Sequence, residues 1–331
     1  MKEITVLVTG ASGIVGYGAL RNLRKSRFAC KLIGSSIYRE SPANVFSDVF
    51  EPAPLTTDDN YFSWLNSVVE KHCIDMIIPG IELDVQTWNR HRDLLPKNTV
   101  ALLNNSALIE LCTDKWRFYQ KIKNVSYAIP SLINCSFKEA SREFGEVFLI
   151  KPRLGMASRG VSIIKCEEQF NRLVTENDKF IIQPVIGNND EEYTVSGFFL
   201  KDGSLFDFMG LKRKLGREGF TNIAETCDRE DLALFQQALN DLSEILKPVG
   251  PTNFQFRKDN KGNLKLLEIN PRISSATSIR ASFGYNEQEM SVEYFLENTL
   301  SGKSNQIKGK AVRYTDDFIM SPLPSQNGSK G

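Results

Sequence analysis

Two runs in the C-terminal third of the chain bring oxygen donors onto facing strands. Thr252-Asn253-Phe254-Gln255-Phe256 and Leu264-Lys265-Leu266-Leu267-Glu268-Ile269-Asn270-Pro271-Arg272 flank the turn Asp259-Asn260-Lys261-Gly262-Asn263. A hairpin turn centred on Lys261-Gly262 sets Gln255 opposite Glu268, to within about one residue. Side chains alternate along a strand, so Glu268 and Asn270 share a face while Leu267 and Ile269 point to the other. Phe254 and Phe256 likewise turn away from Gln255. One carboxylate and two amide carbonyls, backed by an apolar face, form the hard-oxygen set that Mg²⁺ prefers when phosphate oxygens and water complete it. Arg272, one alternation beyond Asn270, could neutralise charge on a transferring phosphoryl group. The competing reading is an ordinary hairpin with its polar residues in solvent.

Two further segments add to this chemistry. In Ile150-Lys151-Pro152-Arg153-Leu154-Gly155-Met156-Ala157-Ser158-Arg159-Gly160-Val161, a strand-end lysine precedes a loop with two glycines, a serine and an arginine. Such a loop can fold its N–H groups over a triphosphate, with Lys151 and Arg159 offsetting the charge. It lacks the G-x-x-x-x-G-K-[ST] spacing, so a P-loop fold is not indicated. In Phe180-Ile181-Ile182-Gln183-Pro184-Val185-Ile186-Gly187, a buried strand runs into a connector before Glu191-Glu192-Tyr193. The backbone of a connector can read an adenine edge, and a nearby carboxylate can accept from ribose hydroxyls. Lys212-Arg213-Lys214 and Arg217 read as a basic cluster after a strand ending at Met209, either solvated or in contact with the nucleotide or a substrate carboxylate. Ser274, Ser275 and Thr277 could line a pocket or cap a helix.

A rival motif lies at the other end of the chain. Gly10-Ala11-Ser12-Gly13-Ile14-Val15-Gly16 follows the first strand and opens a helix, as in the cofactor turn of short-chain dehydrogenases and epimerases. Tyr119 and Lys123 have the spacing of the catalytic pair in such enzymes. Against an NAD(P)-dependent reductase, the second strand ends Ile33-Gly34-Ser35-Ser36, without an acidic residue for an NAD ribose. Arg39 could serve an NADP phosphate. That reading leaves the C-terminal half unexplained. The other use of the glycines is a tight, closely packed turn.

The elements that position these residues fall into two patterns. Up to about residue 110, strands such as Ile4 to Val8, Lys31 to Gly34 and Ile74 to Ile78 alternate with helical stretches, implying a doubly wound parallel sheet. Thereafter short strands come in antiparallel pairs, interrupted by one long amphipathic helix, Arg229 to Leu246. The fold class is therefore α/β followed by α+β. Residues 321–331, rich in Ser, Pro and Gly, read as a flexible tail. A formal net charge of +1 gives no global field for nucleic acid or an anionic membrane. The start reads as no signal peptide, and no apolar run is long enough to span a bilayer. Six scattered cysteines fit neither a disulfide framework nor a zinc site, so a cytoplasmic setting is expected. The two histidines, His72 and His91, lie in amphipathic helical stretches, which argues against histidine-based chemistry.

Taken in order and spacing, Lys115, the Lys151-to-Val161 loop, Gln183 to Ile186, Glu192, Gln255 and Glu268-x-Asn270-x-Arg272 resemble the ATP-grasp superfamily. The likeness is to the carbamoyl-phosphate synthase large-chain type and to the pyrrolysine-biosynthesis ligase PylC, over nearly the whole chain. It implies a Rossmann-like pre-ATP-grasp domain (1–110), a small lid subdomain (111–186) and a C-terminal subdomain (187–320). It further implies that Lys115 and Lys151 contact the α- and β-phosphates of ATP, and that the loop from Gly155 through Ser158, Arg159 and Gly160 to Val161 closes over the triphosphate. Gln183, Pro184, Val185 and Ile186 would frame the adenine, and Glu192 or Glu191 would hold the ribose. Gln255, Glu268 and Asn270 would hold one or two Mg²⁺ ions, with Mn²⁺ an alternative. Arg272, with Lys151 and Arg159, would serve the phosphoryl transfer. The implied reaction is ADP-forming activation of a small carboxylate as an acyl-phosphate for attack by an amine, or by a thiol. Its partners are small molecules only, neither nucleic acid nor membrane, with a homodimer an open expectation. One ATP-grasp module is all the length accommodates, so carbamoyl-phosphate synthesis itself is not expected.

Overall fold

The computed structural model describes residues 3–155, 160–174, 177–187, 191–216, 219 and 221–317. Among these, no helix is long and apolar enough to cross a membrane.

The first sheet is parallel, in the order β3-β2-β1-β4-β5. Its strands are β1 (Ile4–Val8), β2 (Cys30–Ser36), β3 (Val49–Pro52), β4 (Met76–Ile78) and β5 (Val100–Ala101). The connecting helices are α1 (Ile14–Arg24), α2 (Ala43–Phe46), α3 (Tyr61–His72) and α4 (Glu82–Arg90). Alternation in β1 sends Val6 and Val8 into a cluster with Ala19, Leu20 and Leu23 of α1, and Leu7 into one with Leu65 and Val68 of α3 and with Trp88. Both faces are thus covered, as parallel strands require. The first cluster also takes in Ile273 and Val292 from the far end of the chain.

Next come α5 (Ser106–Thr113) and α6 (Lys115–Ile122). A small antiparallel sheet, β7-β6-β8, then carries β6 (Phe148–Pro152), β7 (Ser162–Ile164) and β8 (Phe180–Pro184), backed by α7 (Phe137–Phe144) and α8 (Glu167–Leu173). Its core is Phe148, Ile150, Ile164, Phe170 and Ile182. Ile122 and Ala128 are buried in the core of the following sheet, because the apolar side of α6 faces that way.

The large sheet is antiparallel, in the order β13-β12-β9-β10-β11-β14. Its strands are β9 (Glu192–Phe199), β10 (Leu205–Leu215), β11 (Thr221–Thr226), β12 (Gly250–Lys258), β13 (Leu264–Asn270) and β14 (Lys310–Val312). One face packs on α9 (Arg229–Leu246): Tyr193, Val195, Phe254, Phe256, Leu266 and Ile269 meet Phe235, Leu239 and Leu242. At about 25 cal/mol per Å² of apolar area, these buried aromatic and aliphatic side chains contribute most of the local stability. Two helices, α10 (Thr277–Ser282) and α11 (Glu287–Phe295), follow Arg272. Alternation in β13 is not regular, and one expectation fails there. The pairing shifts register after Gln255, so that Phe256 faces Leu266 and Leu267 is the extra residue. The apolar side of β13 is therefore Leu264, Leu266 and Ile269, and Leu267 lies outside that core.

Candidate functional site

The opposite face of the large sheet is polar across β12, β13 and the first half of β9, and apolar further along β9, β10 and β11, where Phe198, Met209, Leu211 and Ala224 pack on Ile279 and Phe283. Gln255 pairs with Glu268 and Asn253 with Asn270, the register that the Lys261-Gly262 turn predicts. On the other side of β12, Gln255 faces Thr194, Asn253 faces Ser196 and Arg257 faces Glu192. Beyond β9, Glu192 faces Arg213. Three rows of side chains therefore cross the sheet: Arg213–Glu192–Arg257, Thr194–Gln255–Glu268 and Ser196–Asn253–Asn270. Thr194 Oγ1 donates to Asn253 Oδ1 at 2.7 Å, and Asn270 Nδ2 donates to Glu268 Oε1 at 3.0 Å. The Nδ2 group of Asn253 is buried without a partner.

Two lysines of other elements feel the charge of Glu268. Burial pushes the Lys151 ammonium down to about 8; the Glu268 carboxylate partly offsets this and Lys115 adds to it. Lys115 is also lowered by burial, with Glu268 and Asp114 opposing. Lys115 Nζ donates to the Gly155 carbonyl at 2.8 Å, tying the loop after β6 to the start of α6. Asp114 secures the same junction. It caps α6 through the Trp116 and Arg117 amides and accepts Arg153 in a forked pair, with the shortest contact 2.7 Å. Arg153 is thus structural.

Arg272 comes to the site from the end of β13. Its Nη2 donates to Asn270 Oδ1 at 3.2 Å, and its Nε meets Glu82 Oε2 of α4 at 2.5 Å. Burial and the neighbouring carboxylates of Glu82 and Glu268 raise the Cys112 thiol far above its ordinary range. Glu82, 190 positions from its partner, was not singled out in the sequence, and no local signal marks it.

Glu192 sits between two guanidinium groups. Its Oε1 accepts from Arg213 Nε and Nη2 at 3.1 and 2.6 Å, and its Oε2 from Arg257 Nε and Nη2 at 3.1 and 2.8 Å. Burial alone raises this carboxyl, but the two arginines outweigh it and hold it below the usual range. These four bonds fill the acceptor sites of a carboxylate, so a ribose hydroxyl can bind there only by displacing one. The basic cluster is corrected at Arg213. The strand does not end at Met209 but continues to Leu215, and Arg213 is buried. The alternation Met209, Leu211, Arg213 on one side, with exposed Lys212 and Lys214 on the other, was the available signal.

The connector follows β8. Gln183 is buried, and its amide donates to Ser131 Oγ at 2.7 Å. Pro184 and Val185 lead to the buried Ile186, whose carbonyl accepts from Arg257 Nη1 at 3.4 Å. Gly187, at φ 55°, passes so close to β12 that a Cβ would stand 2.3 Å from the Lys258 carbonyl. Across the basic loop, Gly160 abuts Pro152 and Val161 is exposed. Ser158, Arg159 and Arg217 lie outside the described residues.

The N-terminal glycines are accounted for by packing. A Cβ at Gly16 would stand 2.6 Å from the Gly10 carbonyl, and one at Gly80 2.2 Å from the Thr9 carbonyl. Ser36, where a dinucleotide fold would place its ribose acid, shares a 2.6 Å hydrogen bond with Ser12 across the turn. Tyr119 packs against the core of the large sheet and the Lys123 ammonium bonds Gln120, so the expected dehydrogenase pair belongs to the large-sheet side. His72 contacts Glu51, away from the polar face.

Comparison with known proteins identifies the fold. A family model described as "ATP-grasp domain" matches residues 112–276. The carbamoyl phosphate synthase large chain of Thermotoga petrophila is 23% identical over 335 residues, covering 93% of this chain and 30% of that protein. The chain thus spans about 30% of the length of the curated relatives it matches over most of its own length. The crystal structure of N5-carboxyaminoimidazole synthetase from Staphylococcus aureus complexed with ADP superposes with a TM-score of 0.73 at 16% identity, covering 92% of this chain and 80% of that one. The biotin carboxylase domain of Hydrogenobacter thermophilus 2-oxoglutarate carboxylase, solved with MgADP, ADP and bicarbonate, gives 0.72 at 16% identity, covering 92% and 73%. Residues 112–276 of this chain are an ATP-grasp domain, homologous to that of the carbamoyl-phosphate synthase large chain.

Proposed function

We propose that the chain is an ADP-forming ligase that uses MgATP to convert a small carboxylate into an acyl-phosphate, which an amine then attacks. The observation that carries this is the convergence of Lys115 and Lys151 on Glu268, beside Gln255 and Asn270, on one polar sheet face. In this reading the two lysines bind the polyphosphate. Because Lys115 already holds the Gly155 carbonyl, phosphate binding and closure of the loop are linked. The first sheet serves as the Rossmann-like platform that delivers Glu82 to Arg272.

The donor set suits a divalent cation of the hard type. It offers one carboxylate and two amide oxygens, and among the described residues no group of three His, Cys, Asp or Glu competes for a metal. With so little charge of its own, the set depends on phosphate oxygens to complete it. When bound by Gln255, Glu268 and Asn270, Mg²⁺ would supply charge neutralisation on those oxygens. The chain's own residues do the rest. Lys151 and Arg272 draw the γ-phosphoryl group and the substrate carboxylate together, and the carboxylate oxygen attacks phosphorus as ADP leaves. The amine then attacks the acyl carbon, loses a proton and expels phosphate.

Thermal shift with Mg-ADP, ADP, NAD and NADP tests the reading. Stabilisation by Mg-ADP, and not by either dinucleotide, is expected. Stabilisation by NADP alone would sink it.

A further inference from the structure

Arg272 owes its place to a residue of the opening sheet. Two of its contacts are local. Nη2 donates to Asn270 Oδ1, two positions back, and Nη1 to the Ile273 carbonyl, one position on, at 3.2 and 3.0 Å. The third, from Nε to Glu82 Oε2, spans 190 positions. Among these partners, only Glu82 holds the guanidinium away from its own strand end. One hydrogen on each terminal nitrogen then meets no acceptor among the described residues. Arg272 keeps 21% of its side-chain surface exposed, so it is open to a ligand.

Glu82 can hold Arg272 because its own backbone is fixed. It opens α4, two residues after Gly80, whose close approach to the Thr9 carbonyl leaves no room for a Cβ. Two residues further on, the buried Asp84 ties the helix to Thr9 and Thr56. The seam between the two sheets is equally close. Asn104 Nδ2 donates to Thr252 Oγ1 at 2.7 Å, and Asn104 Oδ1 accepts from the Val249 N–H at 2.8 Å. Beside Arg272, between Pro79, Leu102 and Ile273, the seam leaves a gap of about 10 Å³, room for one water at most. Glu82 and Arg272 thus meet across a boundary with little room to slip.

We propose that Glu82 is a positioning residue: it aims the free donors of Arg272 at the γ-phosphoryl group and so sets the site's preference for ATP over ADP. This rests on the ligase reading and deepens it, since the opening sheet then takes part in phosphoryl recognition. Without Glu82, the guanidinium keeps only contacts to its own strand end and folds back on Asn270. Removing a negative charge near the phosphate acts the other way, in favour of anion binding. That carboxylate is already balanced by the guanidinium in contact with it, so the loss of aim is the larger effect.

Titration calorimetry on the full chain with Mg²⁺ compares ADP with the non-hydrolysable analogue AMPPNP. The unaltered protein should prefer AMPPNP by about tenfold or more, and Arg272→Met should abolish that preference. Glu82→Ala should reproduce the loss with ADP affinity held. Glu82→Gln, which keeps an acceptor for Nε, should restore most of the preference. Combining Glu82→Ala with Arg272→Met should be no worse than Arg272→Met alone, since the two residues act as one unit. A purely structural Glu82 would instead weaken both nucleotides alike. That result, an unchanged preference in Glu82→Ala, or tighter AMPPNP binding in it overturns the assignment, as does the absence of a preference in the unaltered protein. Failure of both nucleotides to bind the unaltered protein overturns the ligase reading itself.

Discussion

The C-terminal edge of the parallel sheet and the polar face of the antiparallel sheet both carry residues of the kind that bind nucleotides, yet they treat them differently. At the first, the buried acid is matched within the protein. Asp84 is buried and accepts from Thr9 and Thr56 at 2.6 Å each and from Tyr61 at 3.3 Å. Gly10, Gly16 and Gly80 let backbone pass backbone. At the second, Lys151 feels the charges of both Lys115 and Glu268, and an unpartnered amide lies on the same sheet face as Glu268. A glycine pattern reports close approach without saying what approaches. Like charges gathered against a sheet report something that has yet to arrive.

Four experiments would break or sharpen that contrast. The largest effect is expected at Glu268. Glu268→Gln keeps an acceptor for Asn270 but removes the only carboxylate of the donor set, so phosphate release should fall at least about 100-fold with the melting temperature held. Near-normal turnover would move the metal elsewhere. Next is Glu192→Ala, which leaves two guanidiniums facing each other in a buried row. Urea unfolding should show a loss of about 3–5 kcal/mol, and a loss below about 1 kcal/mol would mean that solvent screens the triad.

Gly16→Ala drives a methyl group against the Gly10 carbonyl and should cost about 1–3 kcal/mol of stability without changing Mg-ADP affinity. Weaker nucleotide binding at unchanged stability would return the nucleotide to the first sheet. The smallest effect concerns pH. Lys151 carries its charge below about 8 and loses it as pH rises through that value. Mg-ADP affinity should therefore weaken by up to about tenfold between about pH 7 and pH 9, and Lys151→Arg should flatten the profile. A profile that is flat in the unaltered protein would separate Lys151 from the phosphates.

Much of this was legible where the signal is local. The turn at Lys261-Gly262 is enough to place Gln255 against Glu268, and the apolar period of Arg229–Leu246 marks its helix. What escaped was decided at a distance. β10 extends through Lys212-Arg213-Lys214 because Arg213 finds Glu192 on the neighbouring strand. β14 is three residues long and is a strand only because it lies against Ile223 to Glu225. The extra residue at Leu267 leaves no mark in composition, and the Arg272–Glu82 contact joins segments that no window of sequence contains.

The cluster that gathers Val6, Val8 and Ile78 with Ile273 and Val292 has a practical consequence for anyone dividing the chain. A cut near residue 110 follows the change in strand pattern but strips apolar side chains from both pieces. Each half should precipitate when expressed alone and become soluble when the two are co-expressed. Chimaeras with relatives would then need to exchange the stretch around Ile273 to Val292 together with the opening sheet, as one inherited unit.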